Sequence, residues 1–214
     1  MGLALGVGSL AAQLEPGGDP DGAKWLRRDL KRLNKFLLKN GLPEHHEPEE
    51  LPKFRYRGHV VSFPYSYTHH LRRAVAYARH APKKFPKIDR DEDPSQDPLI
   101  IDELSIYLNC HLICHSDCEG YYVPIDFSEP LFADPKDKIP GSLLGSSQRL
   151  LAELVAAAPF LGIHLSKAGK LSDKEAAKLT DEGSHKYGLE RLVWFSYYEV
   201  ASASVEYKSV ISFG

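Results

Sequence analysis

The spacing of apolar residues along the chain predicts helices at five places. Leucines return every three or four positions from residue 23 to residue 40, and the same helical period governs residues 66–79. Further helices are expected after the polar cap at residues 145–147, from the S-x-x-E capping box that begins at Ser172, and over residues 189–200. The pattern therefore predicts about five helices.

Alternation of apolar and polar residues predicts the strands. It is clearest from Leu104 to Cys114, where every second residue is apolar, as in a strand with one buried face. Residues 121–127 follow a glycine-containing turn and are expected to pair with this strand in an antiparallel hairpin. Short strands are also expected within residues 54–63 and 209–213. The predicted fold class is α+β, with an antiparallel sheet around the hairpin at about 104–127 packed against the helices.

The hydrophobic pattern also favours one register for this hairpin. A four-residue loop at 116–119 places Leu112 opposite Val123 and makes one face wholly apolar, whereas a five-residue loop buries Asp126 without a partner. The preferred register gathers polar side chains on the opposite face. These side chains belong to Tyr107, Asn109, His111, His115, Tyr122 and Asp126.

The gathered polar face has two interpretations. In one it is a catalytic site of a hydrolase-like enzyme, with His111 as general base and Asp126 orienting it. Substrate would be placed by Tyr107, Asn109 and Tyr122. In the other it is a solvated sheet face with cross-strand hydrogen bonds, which is the ordinary state of an antiparallel sheet. The second interpretation is the preferred one.

Cysteine and histidine residues crowd the same region but do not predict a metal site. On a strand, Cys110 and Cys114 project to one side while His111 and His115 project to the other, so they cannot converge on one ion. His111, His115 and Cys118 are the residues that come closest to a metal-ligating set.

No cofactor is expected from the glycines near the start of the chain. Gly6, Gly8 and Ala11 match the G-x-G-x-x-A dinucleotide pattern, yet no strand is predicted before them and no βαβ unit follows. Because residues 15–22 are dense in proline and glycine, residues 1–22 are expected to be a flexible leader. Residues 23–214 are expected to form a single globular domain, since 214 residues with 43% apolar composition suit one core.

The charge of the chain is nearly balanced, with 27 basic and 29 acidic residues, but it is unevenly distributed. A basic stripe on the first helix could bind nucleic acid, an acidic protein, or the chain's own acidic loops at residues 44–50 and 89–97. The stripe consists of Lys24, Arg28, Lys31, Lys35 and Lys39.

The functional expectation rests on the lack of a convincing catalytic or phosphate-binding motif. The leading hypothesis is a non-enzymatic protein that binds or inhibits another protein, as toxin-neutralising immunity proteins do. The alternatives are the enzyme on the hairpin face and nucleic-acid binding through helix 23–40. Three cysteines indicate a reducing compartment, so a cytoplasmic location is expected, and no apolar stretch predicts a membrane span. The sequence indicates no oligomeric state.

Overall fold

The computed structural model describes residues 2–57, 62–83, 85–86, 92–180 and 185–213. Within these ranges, six strands form one sheet that carries helices on both faces. The predicted α+β class is confirmed. The sheet is mixed, however, because one of its strand pairs is parallel, and the predicted purely antiparallel sheet is therefore wrong.

The strands follow the order β2-β1-β6-β3-β5-β4 across the sheet. The parallel pair is β3 with β5, and each of the other neighbouring pairs is antiparallel. The strands are β1 (Leu3–Val7), β2 (Ser62–Phe63), β3 (Tyr121–Val123), β4 (Leu131–Phe132), β5 (Leu143–Ser146) and β6 (Ile211–Phe213).

The described residues include four helices of more than ten residues, and most of these lie where the spacing of apolar residues predicts a helix. Ser146 caps α6 by accepting a hydrogen bond from the amide of Arg149, and Ser172 caps α7 through the amide of Glu175. Both caps were predicted. The helices are α1 (Ser9–Leu14), α2 (Pro20–Lys39), α3 (Tyr65–His80), α4 (Pro98–Asp102), α5 (His111–Cys114), α6 (Ser147–Ala157), α7 (Asp173–Ala176) and α8 (Gly188–Tyr207).

Two hydrophobic clusters lie on opposite faces of the sheet. The leucines of α2 pack on one face, against Tyr121 and Val123 of β3. Helices α3, α6 and α8 pack on the other face, against Tyr122. Neighbouring residues of β3 thus point to opposite faces, as strand geometry requires. Trp194 of α8 ties the second cluster together by donating a hydrogen bond to the carbonyl of Leu154 at 2.7 Å.

The expected flexible leader is wrong, because its first half is ordered structure. Strand β1 lies between β2 and β6, and Leu3 and Leu5 are buried in the core. Gly8 turns the chain from β1 into α1 with φ at +79°, a conformation that glycine adopts without strain. The pairing of β1 with β6 joins opposite ends of the chain, so the local sequence carried no sign of it. That residues 23–214 form a single domain stays a prediction.

The predicted central hairpin is also wrong. Residues 104–114 form no strand. Residues 104–107 belong to a π-helical turn (Glu103–Tyr107), residues 111–114 form the short helix α5, and residues 108–110 connect the two. The partners of β3 are β5 and β6, so the predicted pairing of Leu112 with Val123 does not occur. Within the expected strand at 54–63, residues 58–61 lie outside the described ranges, residues 54–57 are not a strand, and residues 62–63 form β2.

Candidate functional site

Residues 97–108 are here called the exposed segment. Residues 98–107 are continuously helical, and Asp97 and Leu108 flank them as caps. Asp97 caps α4 by accepting a hydrogen bond from the amide of Leu99 at 3.0 Å, and the proline after it occupies the first helical position. The chain then widens into a π-turn, in which the amide of Leu108 donates to the carbonyl of Glu103 at 2.8 Å. Such π-turns are rare and occur frequently at functional sites.

Large apolar side chains of the exposed segment face the solvent. Ile106 keeps 67% of its surface exposed, and the other members keep between 40% and 48%. Single exposed apolar residues are ordinary, but a group of them so close in the chain forms a patch of the kind that marks an interaction site. The members of this apolar patch are Ile101, Leu104, Ile106, Tyr107 and Leu108.

Buried ion pairs fix the backbone beneath the apolar patch. Glu103 is fully buried, and its Oε1 accepts a hydrogen bond from Nε of Arg79 at 2.6 Å and lies 2.6 Å from Nε2 of His80. Asp97 accepts a hydrogen bond from Nε of Arg73 at 2.7 Å. Removing one partner of such a pair leaves a costly unpaired charge. The patch is therefore presented by an anchored segment, and its exposure does not come from fraying.

Acidic residues surround the start of this segment. The window from residue 89 to residue 103 contains a single basic residue, Arg90, among many carboxylates. Glu92 and Asp93 are exposed, and Asp102 is half-buried. Hydrogen bonds from Ser95 lower the pKa of Asp93, so its carboxylate is charged at neutral pH. Glu92 and Asp93 thus place negative charge on the surface just before the exposed segment in the chain.

His111 and Asp126, the predicted catalytic pair, do not interact as proposed. His111 is buried, its Nδ1 accepts a hydrogen bond from the amide of Ser146 at 3.0 Å, and its Nε2 faces the carbonyl of Ser128 at 3.4 Å. Burial lowers the pKa of His111 to about 4. Asp126 instead pairs with Nε of Arg149 at 2.6 Å. Because both ring nitrogens of the histidine face protein groups, the geometry does not favour a general base here.

The other predicted site residues do not share one solvated face, although several of them contact one another inside the protein. His115 is buried between the rings of Tyr122 and Phe213, with centroids 4.2 and 4.8 Å away, and burial lowers its pKa to about 4. Tyr122 donates its hydroxyl to the carbonyl of His111 at 3.1 Å. Asn109 accepts from Arg79. Of the predicted set, only Tyr107 belongs to the exposed patch.

The cysteines and histidines of this region do not converge on an ion. Cys110 is buried, Cys114 is half-buried and Cys118 is exposed. Among the residues that the structure describes, no cluster of three or more histidine, cysteine or acidic side chains could hold a metal.

Sequence reasoning misses the residues that build the exposed segment, because the alternation of residues 104–114 predicts a strand there. Glu103 and Arg79 were not singled out. The available signal was the Asp-Pro pair at residues 97–98, since a capping aspartate before a proline is typical of a helix start. A helix beginning there would have placed Leu104 and Ile106 on different faces, so that both could not have been expected in the core.

The basic stripe of α2 is exposed along its length. Lys24 pairs with Asp21 at 2.9 Å, and Lys39 pairs with Asp137 at 2.7 Å. For Arg28, Lys31 and Lys35, the described part of the chain provides no ion-pair partner. The expected pairing with the loop at 44–50 occurs beside the stripe, where Arg27 contacts Glu49 at 2.6 Å.

Comparison with known proteins identifies one family. Its model, described as "Putative DNA-mimic protein", matches residues 1–213. No curated protein and no solved structure matches the chain. Across the described residues, no helix is long and apolar enough to span a membrane. Since the match extends over nearly the whole chain, the protein belongs to the family that this model describes.

Proposed function

We propose that this protein binds the DNA-binding surface of another protein and thereby excludes DNA from it. The proposed contact surface comprises residues 92–108. The observation that carries the proposal is the exposed apolar patch, which is anchored from beneath by Glu103 and Asp97 and bordered by exposed carboxylates. An anchored surface of this composition suits a protein partner.

The charge distribution supports a local mimic of DNA. A formal net charge of −2 is too small for the whole molecule to resemble a polyanion. DNA-binding proteins hold phosphates with lysine and arginine side chains, and these cations also form strong bonds with carboxylates. Glu92, Asp93 and Asp102 would take the place of phosphates, and the negative field would steer the partner into contact.

The apolar patch gives the contact an energy that charge alone does not supply. Exposed charge pairs contribute little to affinity in salt, whereas aromatic and aliphatic side chains buried at the centre of an interface contribute most of it. Ile106 and Tyr107 would occupy this centre, and the carboxylates its rim. DNA-binding surfaces also carry apolar groups, which contact thymine methyl groups in the major groove.

Binding of this kind requires no catalytic group, so the proposal is a non-enzymatic inhibitor. An immunity-type role, in which the chain neutralises a protein that acts on DNA, is the narrower form of the same proposal. The neutralised protein would release its DNA when this chain binds to it.

A displacement experiment with matched variants tests the proposal. The chain serves as bait in an extract, the captured proteins are purified, and each is bound to a fluorescent DNA duplex. Wild-type chain is expected to displace the duplex from its partner, seen as a fall in anisotropy. Ile106→Asp should lose this displacement. Leu38→Asp, which introduces the same aspartate at an exposed leucine of α2, should retain it.

Neutralising the carboxylates separates charge from apolar contact. The variant Glu92→Gln, Asp93→Asn, Asp102→Asn should slow association and weaken its salt dependence. Equal displacement by wild type and Ile106→Asp would contradict the proposed surface. Direct binding of the duplex to the isolated chain, falling steeply with salt, would instead favour the basic stripe of α2 as a nucleic-acid site.

A further inference from the structure

A cavity of about 350 Å³ opens between α3 and α6, next to His111. Its apolar wall is made of small side chains, so that space remains between two helices that otherwise pack closely. Ligand sites in proteins are concave and mostly apolar, with a few polar groups that fix the orientation of the ligand. The apolar wall consists of Val75, Ala78, Ala152, Ala156 and Ala157.

Two arginines line this cavity, one from each helix. Arg79 of α3 is held by Glu103 and Asn109, and Arg149 of α6 is held by Asp126 through Nε and Nη2. Within the described ranges, Nη1 of neither guanidinium group donates to a protein acceptor. Both groups therefore contact protein carboxylates and keep N–H donors available to a bound molecule.

Glu153 supplies a third polar group. Its two carboxyl oxygens accept hydrogen bonds from the amides of His111 at 2.7 Å and Leu112 at 2.9 Å. Burial raises the pKa of Glu153 to about 7, so near neutral pH a large part of it is protonated and uncharged. A protonated carboxyl can donate a hydrogen bond to an anion, and it does not repel one.

We propose that this cavity binds a small carboxylate with an apolar body, such as a short aliphatic or aromatic acid. The carboxylate would lie between Arg79 and Arg149, and the apolar body would lie against the alanines of α6. Charge-assisted hydrogen bonds to arginine are among the strongest that proteins make with carboxylates. An ammonium ligand is disfavoured, since both guanidinium groups would repel it. The proposal does not rest on the proposed DNA-mimic function, although Arg79 also contacts Glu103 beneath the apolar patch.

Calorimetric titration of the full chain with benzoate tests the site. Wild-type protein is expected to bind benzoate saturably, with benzylamine as the probe of opposite charge showing no binding. Arg149→Gln should weaken benzoate binding by about tenfold or more, which corresponds to the loss of one charged hydrogen bond. Arg28→Gln, the same change at an exposed arginine of α2, should leave the affinity unchanged.

A variant that fills the cavity tests benzoate binding independently of the arginines. Ala152 is exposed at the mouth, so Ala152→Phe should keep the fold and abolish benzoate binding. Thermal unfolding of each variant checks that it is folded. The proposal is overturned if wild type shows no saturable benzoate binding, if Arg149→Gln binds benzoate as tightly as Arg28→Gln, or if benzylamine binds in preference.

Discussion

Residues 104–108 and residues 110–114 share one apolar alternation but differ in burial. In the first half, Leu104 and Ile106 are exposed, whereas in the second half Leu112 is fully buried together with the polar His111. The second half forms α5, which packs against α3, α6 and β5, while the first half extends from α4 at the surface. Packing by distant elements therefore decides burial here, and the local pattern does not.

Each half contains residues whose burial is unusual for their type: a buried polar residue in one and exposed apolar residues in the other. The two halves differ in whether contacts within the protein explain this burial. The buried His111 is accounted for by its hydrogen bonds to backbone groups inside the protein. The exposed Ile106 and Leu104 have no such internal explanation. Departures from local rules that the fold does not compensate are expected at functional sites, and this difference is what favours the first half as a binding surface.

Replacing a leucine by alanine in each half is expected to give the largest difference in the free energy of unfolding. Leu112→Ala removes a fully buried side chain and is expected to lower the free energy of unfolding by about 3 kcal/mol. Leu104→Ala changes an exposed side chain and should shift it by less than about 0.5 kcal/mol. Urea denaturation measures both. Comparable losses in the two variants would mean that the halves do not differ in burial.

The buried half should also make stability depend on pH. The folded-state pKa of His111, about 4, lies below its ordinary value of 6.5, so the folded state resists protonation. Its contribution is present above pH 6.5 and is lost as the pH falls towards 4, by about 3 kcal/mol at most. His111→Gln should therefore lose less stability than wild type over this interval, as measured by urea denaturation at several pH values.

The matched control for this pH effect is a histidine outside the buried half. His46→Gln makes the same replacement at an exposed side chain. Glu153 acts in the opposite sense, because its raised pKa makes the folded state bind a proton more tightly than the unfolded state as the pH falls below 7. It is unchanged in both variants, so the difference between them isolates His111. Parallel pH profiles would contradict the assignment.

The sequence predicted those parts of the fold that local patterns control. Helices α2 and α6 follow from leucine spacing and caps, because an amphipathic helix carries its period within a single stretch. Strand β1 could not be predicted this way, since its partner β6 lies at the other end of the chain. For the candidate site, the alternation over 104–114 also fits a strand, and it therefore predicts a catalytic face for Tyr107 and a buried face for Ile106.

Within the exposed half, Tyr107 should matter more for stability than its neighbour. Its ring stacks on His80 with centroids 4.5 Å apart, whereas Ile106 is the most exposed member of the patch. Tyr107→Ala is expected to lower the free energy of unfolding by about 1 kcal/mol, the worth of an aromatic pair, and Ile106→Ala by almost nothing. Equal stabilities in urea would show that the stacked pair does not anchor the patch.

The smallest expected effect concerns Leu108, which ends the π-turn with φ at +53°, a left-handed conformation that a leucine adopts at a cost. Asparagine tolerates this conformation, so Leu108→Asn should raise the free energy of unfolding by about 0.5 kcal/mol. Lys208 ends α8 with φ at +54°, and Lys208→Asn is the matched control with a similar gain. If the strained leucine serves the partner, only Leu108→Asn should weaken displacement of DNA. A variant at Leu108 that is more stable and displaces DNA as well as wild type would remove this residue from the proposed surface.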